Sequence, residues 1–127
     1  MTMQAAVLLA CLLVGHFLGD FTPLSTPRML EAKARGGPLL PIAAHAAVHA
    51  VLTGAVVLVV VRPGLELAGL AVGIQFASHL ALDGLRARLG VKIRSFGDPA
   101  NNAFWTALGL DQLAHAVILV GIAALVL

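Results

Sequence analysis

Four apolar runs, residues 5–21, 39–61, 64–82 and 103–127, are separated by segments in which Pro, Gly and charged residues gather. None alternates with a period of two, and each is close to or above the roughly 17–25 residues that carry a helix across a bilayer. In hydrocarbon only helices and closed barrels satisfy their own backbone, and no run reads as a barrel strand. The pattern predicts an all-α fold, an integral membrane four-helix transmembrane bundle forming one domain over residues 1–127. The stretch "VRPGLE", with Pro63 and Gly64, marks a tight hairpin between the second and third spans.

Composition agrees: 60% of the residues are hydrophobic and 11% charged, and the mean hydropathy is +0.99, outside the range of soluble domains. No Lys or Arg precedes the first run, so it reads as a retained span and not as a signal peptide. Cys11 is the only cysteine, which excludes a disulfide within the chain and leaves that residue as a small apolar packing group. Basic residues add an orientation. Arg28, Lys33 and Arg35 lie in the first loop, Arg62 alone in the second, and Arg86, Arg88, Lys92 and Arg94 in the third. The excess of positive charge predicts that the first and third loops are cytoplasmic and both termini outside. The net charge of +2 is thereby accounted for by topology beside an anionic leaflet, and no nucleic acid is implied as a partner.

The chemistry lies in the polar residues inside the runs. Every histidine stands four positions from another histidine or an aspartate: His16 with Asp20 in "HFLGD", His45 with His49 in "HAAVH", His79 with Asp83 in "HLALD", and Asp111 with His115 in "DQLAH". On a helix this spacing puts both side chains on one face, one turn apart. His, Asp and Glu fill 11 of 127 positions, so a partner at that spacing arises by chance about once in twelve trials, yet each span carries one pair. With the orientation above, all four pairs fall in the cytoplasmic half, within roughly 20 Å of its boundary at about 1.5 Å of rise per residue.

Buried carboxylates need compensation, since an Asp near the middle of a span costs roughly 2.5–3.5 kcal/mol on the insertion scale. A divalent cation supplies it. Imidazole and carboxylate ligands suit zinc first, with iron or manganese as alternatives, and eight groups suffice for one or two ions. His45, His49, Asp111 and His115 are the firmer members; Asp20 and Asp83 stand at span ends, where a solvated carboxylate is the competing reading. Gln75 and Gln112 stand beside the pairs, either as hydrogen-bond donors to them or as ordinary interhelical hydrogen-bonding groups. Gly15 with Gly19 and Gly69 with Gly73 form small-xxx-small steps that predict close helix approach. Phe104 and Trp105 read as an interfacial belt. The first loop, "TPLSTPRMLEAKARGGP", and the third, "RARLGVKIRSFGDPANN", read as solvated connections over the mouth of the site. The competing reading has Arg86 and Arg94 hold an anionic headgroup or phosphate near the metal; Asp98 with Pro99 reads as a turn.

The motifs "HFLGDF", "HAAVH", "HLALD" and "DQLAH", in that order over nearly the whole chain, resemble those of a family of small, uncharacterised bacterial four-helix integral membrane proteins, itself loosely similar to membrane-bound metal-dependent hydrolases. That resemblance implies a multi-pass protein of the bacterial inner membrane with metal chemistry. Family members usually show a glutamine soon after the Asp-Phe of the first motif and a lysine after the third Asp; here Ser25 and Arg86 stand in those places.

The leading functional expectation is a membrane-embedded metal hydrolase. The ion lowers the pKa of bound water towards about 7 and a carboxylate, Asp20 or Asp111, takes its proton. A lipid or other membrane-confined ester or phosphoester is the matching substrate. The alternatives are a histidine-rich membrane oxidoreductase of di-iron type, a divalent-metal transporter, a haem protein, and a structural metal that locks the bundle. The outer halves of the spans carry only Thr53 as a side-chain hydroxyl and no charge, which counts against a transport route. A homodimer is compatible with all of these.

Overall fold

The computed structural model describes residues 2–127 and contains six helices among them: α1 Met3–Phe21, α2 Pro27–Arg35, α3 Leu39–Val60, α4 Leu65–Lys92, α5 Arg94–Gly97 and α6 Asn102–Val126. Helices α1, α3, α4 and α6 are each long and apolar enough to cross a membrane, and they form the integral membrane bundle that the hydropathy pattern predicts. Around the bundle α3 lies between α1 and α4, and α6 closes the ring between α4 and α1. Leu8 and Leu12 near the start of α1 pack with Val57 near the end of α3, Ala68 and Ala71 near the start of α4, and Leu119, Ile122, Ala123 and Val126 near the end of α6. Neighbouring spans therefore run in opposite directions, and this layer packs one end of the bundle with aliphatic side chains.

The turn at this end is as tight as Pro63 and Gly64 require. Arg62 takes a left-handed conformation with φ 56°, and α4 begins at Leu65. The Gln4 side chain donates to the Val60 carbonyl (3.3 Å), filling one of the acceptors left open where a helix ends.

At the opposite end the connections are more ordered than solvated loops. Thr26 caps α2 by accepting from the Met29 amide, Pro27 opens it, and Gly36 ends it at φ 76°, where a side chain would be strained. Ala32 of this amphipathic helix is buried against Ile42 of α3 and Ala87 of α4. The third connection holds the single turn α5, an Asp98 side chain that accepts from the Ala100 amide (3.0 Å), and Asn101, which caps α6.

Two expectations are corrected. The third span does not stop near residue 82: α4 runs ten residues further, to Lys92. Asp83 and the arginines beyond it do not break a helix built of Leu, Ala and Arg, all good helix formers. Gly69 and Gly73 do not mediate close packing, because a methyl group at either would meet nothing within 4 Å. The face of α4 turned inward is Ala68, Ala71, Gln75, His79 and Asp83, which leaves those glycines outside. Gly19 behaves as expected, since a methyl there would overlap the His49 ring. Trp105 is exposed near the end of the bundle, its indole N–H donating to the Pro99 carbonyl (3.0 Å).

Candidate metal centre

One or two helical turns below the apolar layer, the four i, i+4 pairs face one another across the bundle axis. His79 of α4 is the hub. Its ring centroid lies 3.8 Å from that of His49, 4.2 Å from His115, 5.2 Å from His45 and 5.7 Å from His16. His45, His49, His79 and His115 are at most 3% exposed, and His16 is 8%. The small residues of α1 and α3 permit this density of rings: Gly19 gives His49 its place, and Ala46 and Ala50 on α3 are buried beside the two histidines of that helix.

Two carboxylates sit among the rings. Asp20 has one oxygen 3.0 Å from His45 Nε2 and 3.3 Å from His49 Nε2, and its other oxygen 3.3 Å from His16 Nε2. Asp83, almost fully buried, lies 3.4 Å from His79 Nε2 and 3.5 Å from both His45 and His115 Nε2. The residues that stood at span ends in the sequence thus occupy the middle of the cluster. Asp111 is peripheral, with one oxygen 3.7 Å from His115 Nε2 and the other accepting from the Gln112 amide (3.4 Å).

All eight residues singled out in the sequence meet here, in three overlapping sets whose donor atoms lie within 4.8 Å of one another: Asp20, His45, His49 and His79; His16, His79 and His115; Asp83, Asp111 and His115. Ligands around a tetrahedral ion sit roughly 3.3 Å apart when the bonds are about 2.0 Å, so small side-chain adjustments bring each set into range. A second observation tests the fit. Nε2 of His49, His79 and His115, Nδ1 of His16 and both oxygens of Asp83 are buried without a hydrogen-bond partner. They approach one another, but not in hydrogen-bonding geometry. Leaving one such group unsatisfied costs about 1–3 kcal/mol, and buried polar groups without partners are rare. The four histidines belong to the overlapping sets above, and a divalent cation would satisfy their free nitrogens; Asp83 is compensated in part by the Lys33 ammonium 3.0 Å away.

Partners around the cluster orient it. Ser25 Oγ is 3.1 Å from His45 Nδ1, and Gln75 Nε2 lies 3.4 Å from His79 Nδ1. The Gln112 amide bridges α6 to α1, accepting at 3.2 Å from His16 Nε2 and donating at 3.1 Å to Asp20. Such outer partners fix ring orientation and tautomer in metal sites. The Ser25 hydroxyl thus reaches the cluster from the first connection.

Lys33 is the residue that sequence reasoning missed. It served only as a topology marker, yet its ammonium reaches from α2 to within 3.0 Å of Asp83, 3.4 Å of His45 Nε2 and 3.9 Å of Asp20. The signal was present in the Thr26-Pro27 start and the Gly36 stop of a helix, with Lys33 beside the Ala32 that α2 buries.

Two cavities reach the cluster. One, about 390 Å³, opens beneath α2 and α5 and is lined by Asp20, Lys33, Arg86, Asp111 and Gln112 together with apolar residues. The other, about 420 Å³, lies between α4 and α6 and is almost wholly apolar apart from Arg86, Thr106 and Asp111. Arg94 lines neither.

Comparison with known proteins adds a family and no function. No curated protein and no solved structure matches the chain. A family model described as "Protein of unknown function (DUF3307)" matches residues 8–127. With all but its first seven residues covered by that match, the chain belongs to the DUF3307 family.

Proposed function

We propose that the protein is a metal-dependent hydrolase of the bacterial inner membrane, acting on a membrane-confined ester or phosphoester, with zinc as the native ion. The observation that carries this reading is the group of imidazole nitrogens without hydrogen-bond partners packed around Asp20 and Asp83, set beside cavities that reach the same cluster from outside. A structural ion is enclosed by its ligands, whereas a catalytic one keeps a position open to substrate; the cavity along Asp20, Asp111 and Gln112 supports the second case.

The residues that would hold the ion are Asp20, His45, His49 and His79, with His16, His115 and Asp83 extending the set towards a second ion. When bound, the metal supplies Lewis-acid polarisation and activation of water. Asp111 is the better placed of the two catalytic carboxylates. Asp20 is engaged by three imidazoles and Gln112, but Asp111 borders both cavities and keeps capacity to accept a proton. Orientation follows the basic residues, with the cluster in the cytoplasmic half.

The apolar layer supports an enzyme over a transporter, because any cation leaving the cluster towards that end would meet one buried hydroxyl, Thr53, and then cross Leu8, Leu12, Leu119 and Ile122 with no charged side chain to receive it. The test is elemental analysis of detergent-purified protein, followed by turnover of a long-chain p-nitrophenyl ester and of a p-nitrophenyl phosphodiester in mixed micelles. The expected result is near-stoichiometric zinc, no redox-active absorption, and turnover lost in Asp111→Asn. Tightly held iron whose spectrum changes on reduction would overturn it in favour of redox chemistry.

A further inference from the structure

Arg86 is the one cation in the two cavities that lacks a carboxylate partner among the described residues. Its Nη2 donates to the Phe96 carbonyl (3.0 Å), its guanidinium carbon lies 5.4 Å from the centre of the Phe104 ring, and its Nε is buried with no partner at all. A backbone carbonyl and an aromatic face hold the group in place without neutralising it. What remains is a fixed, partly desolvated positive charge with unused donors, the arrangement that receives an oxyanion.

Its position narrows the kind of oxyanion. Arg86 lies 21 residues after the first residue of α4, or roughly 32 Å along the axis at 1.5 Å per residue, whereas the hydrocarbon core is about 30 Å thick. If α4 begins at one boundary, Arg86 stands at the other, at the depth of lipid headgroups. The cleft between α4 and α6 runs from it, walled by Leu82, Leu85, Ala107 and Leu110. Arg86 and Asp111 border both this cleft and the polar cavity. An apolar slot, a headgroup-level guanidinium and the cluster are therefore contiguous.

We propose that this cleft seats an acyl chain of an acidic membrane lipid whose phosphate is held by Arg86, next to Asp111 and the metal centre. The inference rests on the metal reading above, because three carboxylates against Lys33 alone would repel an anion unless a divalent cation is bound among them. Zwitterionic lipids satisfy the slot but offer no net negative charge to Arg86.

The experiment uses the full-length, zinc-loaded protein in detergent, with displacement of a fluorescent phosphatidic acid followed by polarisation. The competitors are dioctanoyl phosphatidic acid, dioctanoyl phosphatidylcholine and inorganic phosphate, and zinc content is measured in each sample. Phosphatidic acid is expected to compete at least about tenfold better than phosphatidylcholine, a step of 1.4 kcal/mol. Arg86→Gln should erase that preference with zinc content unchanged. Ala107→Phe, which fills the cleft from an apolar position, should weaken phosphatidic acid by a similar factor with helicity and zinc retained. Equal competition by both lipids, or a preference that survives Arg86→Gln, overturns the proposal. Inorganic phosphate competing as well as phosphatidic acid also overturns it, since the cleft would then contribute nothing. Stoichiometric zinc without headgroup preference sinks only this inference, while protein that takes up no zinc sinks the hydrolase reading on which it rests.

Discussion

At the end where α3 turns into α4, Leu8, Leu12, Val57, Leu119 and Ile122 close the bundle with no polar side chain among them. One or two turns away the same four helices present five imidazoles and three carboxylates to one another. Between lipid-solvated helices apolar contact brings packing but little hydrophobic gain, so the first region tolerates alternatives. The second does not, because each buried polar atom needs a particular partner. Assembly is carried by the apolar half and chemistry by the polar half, and substitutions in the two should separate stability from metal binding.

The largest effect is expected at the hub. His79→Ala removes a donor shared by two of the three ligand sets, and metal affinity should fall by more than the ~10–100-fold typical of outer-shell changes. Elemental analysis after equilibration with zinc and gel filtration measures it; wild-type occupancy would break the division drawn here. Leu119→Ala probes the other half. It should cost on the order of 1–2 kcal/mol in detergent unfolding followed by circular dichroism, the cavity part of the soluble-core penalty without its transfer part, with zinc per folded molecule unchanged.

Gly19 and Gly73 sharpen the contrast within one residue type. Gly19→Ala drives a methyl into the His49 ring and should lower zinc affinity about tenfold and stability by about 1–3 kcal/mol. Gly73→Ala, with open space around it, should leave both within about 0.5 kcal/mol of wild type. The smallest change concerns Lys33. Its ammonium already neutralises Asp83, so an incoming cation must displace it. Lys33→Met should therefore raise zinc affinity several-fold, on the order of 1 kcal/mol, while lowering the melting temperature of chelator-treated protein. Competition with a chromophoric chelator reads the first effect, and weaker zinc binding in the variant would show that the ammonium supports the loaded site instead.

Hydropathy made the spans legible because lipid imposes one solution on the backbone, and the i, i+4 pairs were legible because helical periodicity is rigid. All eight paired residues could be named and assigned to one depth. Their ranking was not legible. Asp20 and Asp83 looked marginal in a linear reading, since charge beside a span ordinarily marks its end; only the continuation of α4 to Lys92 shows Asp83 as interior. Lys33 and Ser25 escaped for a related reason. Both belong to a connection whose return into the bundle depends on α2 burying Ala32 against two other helices, and an amphipathic pattern of nine residues shows a buried face without showing what buries it. The glycines divide on the same ground: Gly19 and Gly73 share a motif, but the rotation of each helix decides which one meets a neighbour.

The layer of Leu, Ile and Val across one end of the bundle makes the polar chamber a pouch, reached beneath α2 and α5 and, through a greasier seam, between α4 and α6. On the hydrolase reading, a water-soluble fragment would depart beneath α2 and α5, whereas a fragment that keeps its acyl chain would linger in the seam between α4 and α6 that its parent occupied. The rate would then be throttled by the greasier of the two products.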